Sequence, residues 1–230
     1  MTRIRFQQSL DDLKENLLVM AGLAEQAIQR AIEAYRVRDL SICDLVSRSE
    51  LAINRLEREI DQSALDLLAM EQPMAIDLRF ILSVIKINAD LERVGDSAKS
   101  ISDRVRNMEQ MAVAELPVDI PRMASLATDM VRRSLQSFIE GDSEMARSVL
   151  TMDDAVDAMN RSAYKALTRV MEEQSHLAPQ ALNALMVSRS LERVADHATN
   201  IAEDVIFWVK GADVRHYKSL TGKRDPQAGL

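Results

Sequence analysis

The sequence predicts an all-α fold of six long helices that form two tandem, pseudo-repeated three-helix bundles. Three observations predict it: helical spacing of apolar residues, few residues that break helices or favour strands, and an internal repeat. Aromatic residues make up 3% of the chain, and there are six glycines and five prolines, too few for a loop-rich or strand-rich fold. Apolar residues make up 47% of the 230 residues, which is enough for a sizeable aliphatic core.

Apolar residues recur at steps of three or four positions in two long segments. Such a stripe is typical of a helix that packs against neighbouring helices. The segments contain Ile53, Leu56, Ile60, Ala64 and Leu67, and Leu91, Val94, Ala98, Ile101, Val105 and Met108.

Helix breakers divide the chain into six helical segments. Proline lacks a backbone N–H and clashes with the preceding helical turn, so it marks helix starts and connections. The breakers are Pro73, Pro117, Pro121, Pro179, Asp39 and the Gly141–Asp142 pair. They predict helices at 7–37, 40–70, 75–110, 120–140, 143–174 and 180–210. The polar residues 211–230 are predicted to form a flexible tail.

The two halves of the chain are similar in sequence. Residues 91–98 read LERVGDSA and residues 191–198 read LERVADHA. Earlier in each half, Ala24, Arg30, Tyr35 and Asp39 align with Ala127, Arg133, Phe138 and Asp142. A period of about 100 residues is too long for a solenoid unit, so it indicates duplication of one bundle rather than two chance matches of helical composition. We predict bundles at 5–110 and 119–210.

Each half carries a pair of carboxylates at the same place. Glu92 and Asp96, like Glu192 and Asp196, are four residues apart and therefore share one helix face. Like charges at this spacing destabilise an isolated helix by roughly 0.2–0.5 kcal/mol. We therefore expect another group to offset the repulsion between the two carboxylates. It is an Arg or Lys side chain, a neighbouring helix, or a metal ion.

Further acids extend each pair into a row of oxygen ligands. Asp103 and Glu203 lie on the same helix face as the pairs, and the preceding helix of each half adds acids and amides at helical spacing. These are Glu50, Asn54, Glu57 and Asp61, and Asp153, Asp157 and Asn160. Oxygen-rich clusters suit Mg, Mn or Fe, whereas zinc prefers more His or Cys. The alternative is a solvated helix face paired with Arg93, Arg104 and Arg193.

The two rows are not equivalent in sequence. Lys99 lies within the first row, where its ammonium group would neutralise the acids without a metal, and the second row has Thr199 there. His197 adjoins the second pair but, five residues after Glu192, points to a different face. We therefore favour the second row as the metal site.

Several function classes are disfavoured. The chain has no Gly-rich phosphate loop, and the one Glu-x-x-His match, Glu173 to His176, precedes Pro179 at a predicted helix end. We therefore predict no catalytic residues and no enzyme activity. The formal charge of −7 opposes binding to nucleic acid or to an anionic membrane.

The sequence also predicts a cytoplasmic protein. Cys43 is the one cysteine, so no internal disulfide forms and a reducing compartment suits the chain. Neither a signal peptide nor an apolar run of about 18 residues is present, so no membrane insertion is expected.

Several segments resemble the PhoU family. They are the repeated Glu-Arg-Val-x-Asp-x-Ala, the stretch from Met74 to Leu82, the opening Phe6, Leu10 and Leu13, and the final residues 200–204. The resemblance covers residues 5–210. It implies a negative regulator of the phosphate-starvation response and of phosphate uptake.

The resemblance also implies partners and ligands. The implied partners are a phosphate ABC transporter ATPase and a sensor histidine kinase, and the implied oligomer is a homodimer. Some family members carry Fe, Zn or other metals on E/D-x-x-x-D motifs. These motifs correspond here to Glu92/Asp96 and Glu192/Asp196, with Glu50/Asn54 and Asp153/Asp157 on the preceding helices. Asn54 departs from the acidic pattern. The alternative function is a metal-binding helical-bundle enzyme or a metal-storage protein.

Overall fold

The computed structural model describes residues 3–70 and 73–214, and these form helices and short connections without strands. The α-helices are α1 Arg3–Val37, α2 Leu40–Met70, α3 Ala75–Asn107, α4 Ile120–Glu140, α5 Ser143–Glu173 and α6 Ala178–Lys210, with a 3-10 turn at Ser175–Leu177 before α6. The predicted all-α fold class is confirmed. The predicted tail falls mostly outside the described residues, which end at 214.

The predicted helix ends differ from the observed ones by a few residues. Helix α3 ends at Asn107 rather than at residue 110, because Arg38 donates from Nη1 to the carbonyl oxygens of Met108 and Met111 at 3.2 and 2.7 Å. Helix α6 begins at Ala178 and includes Pro179 in its first turn. Proline is tolerated there because the first helical N–H groups have no partner within the helix.

The connection between the first two helices of each half passes through a residue with positive φ. Gly141 and Arg38 both have positive φ, at 64° and 57°. Asp142 caps α5 by accepting hydrogen bonds from the N–H groups of Glu144 and Met145, as expected of aspartate at a helix start. Glycine readily adopts a positive φ, whereas arginine does so rarely. The hydrogen bonds from Arg38 to two carbonyl oxygens favour arginine at this position.

Each half is a three-helix bundle, and the bundles meet through α3 and α6. Helices α1, α2 and α3 pack together, as do α4, α5 and α6, and α1 also contacts α4. One apolar core runs through both bundles and includes Leu17, Ile53, Leu91, Val149 and Val194. The antiparallel α3–α6 junction therefore fixes how the two halves face each other.

An aromatic cluster closes one end of this junction. Phe80 of α3, Phe138 of α4 and Trp208 of α6 have ring centroids 5.2 to 5.8 Å apart. Offset and edge contacts at this separation stabilise a core beyond simple burial of area, by about 0.5–1.5 kcal/mol per pair.

Candidate functional site: two acidic faces

The predicted acids form two surfaces at matching places in the halves. We call the surface between α2 and α3 the first acidic face, and that between α5 and α6 the second acidic face. The first contains Glu50, Asn54, Glu57, Asp61, Glu92 and Asp96, and the second contains Asp153, Asp157, Glu192 and Asp196.

On the first face, the acids of neighbouring helices interact. Partial burial raises the pKa of Glu57, and the charges of Asp61 and Asp96 raise it further. Burial likewise raises the pKa of Glu92, followed by the charges of Asp96 and Glu57. Glu57 and Asp61 lie on α2, whereas Glu92 and Asp96 lie on α3. Because they influence each other, the acids of the two helices must face each other. Their mutual repulsion favours binding of a positive charge.

Two amide side chains join the first face. The Nδ2 group of Asn54 donates to Glu50 Oε1 at 3.0 Å, and its buried Oδ1 has no hydrogen bond. Asn88 of α3 is fully buried and donates to the carbonyl oxygen of Glu57 and to Asp61 Oδ1, both at 2.9 Å. Its Oδ1 also has no hydrogen bond. Buried carbonyl-type oxygens without partners are uncommon, and amide oxygens are ligands for hard cations.

The sequence reasoning did not single out Asn88. A signal was present, because Asn88 lies on the buried stripe formed by Ile81, Val84 and Leu91. A polar residue on such a stripe must find a partner inside the protein, and Asp61 on the facing helix is that partner.

Lys99 lies where the sequence predicts an internal cation. Its ammonium group forms an ion pair with Asp103, four residues further along α3. The charges that raise the pKa of Glu92 come from Asp96, Glu57 and Glu50. Asp103 is thus paired with Lys99 beyond the crowded part of the face.

The second face carries a strongly perturbed carboxylate. The pKa of Asp196 is raised from 3.8 to about 6, first by burial and then by the charges of Glu192, Asp153 and Asp157. Asp196 is exposed by surface area, yet the neighbouring helix removes enough water from its carboxyl group for burial to be the first cause of the shift. The pKa of Glu192 is also raised, first by burial and then by Asp157. The charges of these four acids therefore act on one another.

Neighbouring polar groups offset part of that charge. Asp157 accepts a hydrogen bond from Arg161 Nη1 at 3.0 Å on the solvent side of α5. Asn160 accepts one from Ser188 Oγ at 2.8 Å. Glu203 lies seven residues beyond Asp196, about 10 Å further along the helix axis, so it is not adjacent to the crowded acids.

His197 points away from the second face, as predicted from its spacing. Its ring is buried against α3, with Nδ1 2.8 Å from Asp90 Oδ1. Asn200 Nδ2 donates to the same oxygen at 3.1 Å. The sequence reasoning did not single out Asp90, although its position four residues before Val94 places it on the buried side of α3.

The donor chemistry of both faces fits a hard or borderline cation. Carboxylate and amide oxygens lie on the facing helices, and a bound cation would relieve the repulsion between the carboxylates. Among the described residues, however, no three His, Cys, Asp or Glu side chains are already grouped closely enough to hold a metal ion. The raised pKa values reflect charge interactions that act over longer distances than ligation. Loading a metal would therefore require the side chains to move together.

Within residues 3–70 and 73–214, none of the helices combines the length and the apolar character that a bilayer crossing requires.

The fold and the two faces define a class: a duplicated three-helix-bundle protein with an acidic surface on each repeat. The model of the PhoU domain family matches residues 17–105 and 120–205, once in each half. The chain belongs to the PhoU family, and the resemblance seen in its sequence is confirmed.

Named relatives span nearly the whole chain. A phosphate-specific transport system accessory protein PhoU homolog from Pseudomonas aeruginosa is 37% identical over 213 residues, which cover 92% of this chain and 88% of the relative. The phosphate-specific transport system accessory protein PhoU of Escherichia coli K12 is 30% identical over 225 residues, covering 95% and 93%.

Solved structures agree with the fold. The crystal structure of PhoU from Pseudomonas aeruginosa superposes with a TM-score of 0.87 at 36% identity, covering 90% of this chain and 100% of that one. The phosphate transport system regulatory protein PhoU from Streptococcus pneumoniae superposes with a TM-score of 0.84 at 27% identity, covering 91% and 99%.

Proposed function

We propose that this protein is a cytoplasmic negative regulator of the phosphate-starvation response and of phosphate uptake. In this role it is an adaptor between a phosphate ABC transporter and a sensor histidine kinase. The observation that carries the proposal is the match of both halves to the PhoU domain. Relatives that span nearly the whole chain are named accessory or regulatory proteins of phosphate transport.

The two acidic faces support an adaptor role. They lie on different pairs of long helices, so one molecule presents two separate surfaces of the same charge. Complementary charge across an interface increases the association rate and selects partners. Basic surfaces on the transporter ATPase and on the kinase are the expected counterparts, and each face would bind one of them. A homodimer would double both surfaces.

Deletion of the gene in its native host tests the regulatory role. With phosphate plentiful, a phosphate-starvation reporter should become active in the deletion strain and return to repression when the intact gene is restored. A reporter that stays fully repressed without the gene would refute the proposal.

Binding measurements with charge-neutralised variants test the adaptor role. E92Q/D96N removes two charges from the first face and E192Q/D196N removes two from the second. The matched control is D11N/E15Q, since Asp11 and Glu15 are exposed acids four residues apart on α1. Capture of the purified ATPase or kinase should weaken with one of the face variants and not with the control. If the wild type and all three variants capture these partners equally, the two faces do not bind them.

A metal ion on the second face is a further part of the proposal. Asp153, Asp157, Glu192 and Asp196 would hold the ion, which would supply positive charge that offsets their repulsion. Elemental analysis of protein purified without chelators should find Fe, Zn, Mg or Mn, and E192Q/D196N should lose more of it than E92Q/D96N or D11N/E15Q. Equal metal content in all variants would exclude the second face as the site.

A further inference from the structure

The α3–α6 junction has two arms that the internal repeat relates to each other. The first arm joins residues 80–90 of α3 to residues 197–208 of α6. The internal repeat relates residue numbers of the two halves by about 100. The equivalent second arm therefore joins residues 180–190 of α6 to residues 97–108, which include the end of α3 and its C-cap Met108. In an undiverged duplication the two arms would make the same contacts.

The first arm is held by buried polar contacts across the junction. Asp90 and His197 are 7% and 8% exposed and lie 2.8 Å apart, and Asn200 donates to the same Asp90 oxygen. One turn away, Lys86 Nζ forms a 2.9 Å ion pair with Asp204 Oδ1, and Ser83 Oγ donates to the Asp204 carbonyl oxygen at 2.9 Å. Breaking one partner of a buried polar pair leaves the other unsatisfied, so these contacts resist separation of the helices.

The second arm has replaced these groups. Ser190 stands in place of Asp90 and Ser97 in place of His197, and each donates to a carbonyl oxygen of its own helix, at Met186 and Arg93. Asn183, in place of Ser83, likewise donates to Pro179 of its own helix. A further contact joins the helices next to the first arm, where Arg79 Nε donates to the carbonyl oxygen of Trp208 at 3.1 Å. The serines and the asparagine of the second arm thus bond within their own helices, whereas their counterparts on the first arm bond across the junction.

The end of the second arm also lacks contacts that the end of the first arm has. The first arm ends in the aromatic cluster of Phe80, Phe138 and Trp208. At the equivalent positions the second arm has Gln180, Tyr35 and Met108. Gln180 is buried, and its Oε1 has no hydrogen bond. The second arm therefore lacks both the polar contacts and the aromatic packing.

The outer helices α1 and α4 also contact each other differently beside the two arms. Beside the first arm, Lys14 of α1 donates to the carbonyl oxygen of Ile139 at the end of α4 at 2.9 Å. Beside the second arm, a groove of about 460 Å³ lies between the end of α1 and the start of α4, lined by residues that include Gln29, Ile32, Pro121 and Ser125. The ion pair of Arg132 with Glu25 joins the two helices at the edge of this groove.

We propose that the α3–α6 junction is a one-sided hinge, fixed along the first arm and able to open along the second. Rotation about the fixed arm widens or narrows the α1–α4 groove and reorients the two acidic faces relative to each other. Packed interfaces with two arrangements are the usual means of such motion. The proposal does not depend on the regulatory role, because it concerns the isolated chain.

Distance measurements between paired spin labels test the hinge. The second arm is reported by labels at Val37 and Arg122, and the first arm by the repeat-equivalent pair, Val19 and Glu140. All four residues are exposed, and buried Cys43 is first replaced by C43S. Labelled protein is diluted with unlabelled protein so that only distances within one chain contribute. The distance distribution of the second-arm pair should be broader than that of the first-arm pair. Equal widths would overturn the proposal.

Two reciprocal variants identify the contacts responsible. D90S/H197S gives the first arm the residues of the second, and it should broaden the Val19–Glu140 distribution while the helical circular dichroism is retained. S190D/S97H gives the second arm the polar pair of the first, and it should narrow the Val37–Arg122 distribution. If D90S/H197S stays folded with an unchanged distribution, or if S190D/S97H leaves the second arm as broad as before, the buried pair does not hold the hinge.

Discussion

The first and second acidic faces come from one duplicated segment, yet they balance their negative charge differently. The first face has an amide at Asn54 and a buried amide at Asn88, and the ammonium group of Lys99 pairs with Asp103 beyond its crowded acids. The second has Asp157 and Thr199 at two of these places, and its Asp196 has a pKa of about 6. The same backbone arrangement therefore carries two acidic faces whose charges are offset by different groups, which shows that a few side chains decide how strongly each face favours a cation.

The largest expected effect concerns the buried amide. Asn88→Ala should lower the free energy of unfolding by about 2 kcal/mol, because the Glu57 carbonyl and Asp61 lose a buried donor. Ser188→Ala, at the equivalent position of the second face, should lower it by about 1 kcal/mol, since one hydrogen bond to Asn160 is lost. Urea unfolding followed by circular dichroism measures both. A larger loss for Ser188→Ala would reverse this ranking.

Next in size is the effect of transferring the lysine. Thr199→Lys introduces an ammonium group three residues after Asp196, on the same side of α6. The pKa of Asp196 should fall by about one unit, because a nearby positive charge favours the ionised form. Carboxyl-carbon NMR titration measures the shift. Thr199→Met is the uncharged control, and an equal shift in that variant would rule out the charge as the cause.

The raised pKa of Asp196 makes stability depend on pH. Between pH 4 and 6 the folded chain holds a proton on Asp196 that the unfolded chain has lost, so the free energy of unfolding falls as pH rises through this window. Asparagine does not ionise, so Asp196→Asn avoids this fall in the free energy of unfolding. The variant should be more stable than the wild type at pH 7.5, by about 1 kcal/mol or less after solvent screening. At pH 4 the two proteins should be nearly equal. Urea midpoints at both pH values measure the difference, and a gain at pH 4 that matches the gain at pH 7.5 would contradict this linkage.

The smallest effect is expected on the first face. Lys99→Met breaks the ion pair with Asp103, which is partly exposed, and should lower the free energy of unfolding by about 0.3–0.5 kcal/mol. The same change should strengthen binding of Mn²⁺ to this face, measured by calorimetry, because it removes a positive charge near the acids and leaves Asp103 without its partner. Unchanged Mn²⁺ binding in Lys99→Met would show that Lys99 does not distinguish the two faces.

Much of the fold could be predicted from local patterns. The 3-4 spacing of residues 91–108 gave α3, and Pro73, Pro121 and Pro179 gave three helix starts within a few residues, because proline acts on its own turn. The matching pairs Glu92/Asp96 and Glu192/Asp196 were also visible, since residues four apart always share a helix face. The end of α3 was misplaced because the residues that follow it are held by Arg38, which is distant in sequence.

The sequence by itself determined the helical class, the duplication and the placement of acids along each helix, because these depend on spacing within one segment. Only the tertiary structure decided which helices face each other, and with them the partnership of Asn88 with Asp61, the raised pKa of Asp196 and the burial of His197 against Asp90. Burial and electrostatic fields depend on distances between segments far apart in the chain, and helical periodicity carries no record of those distances.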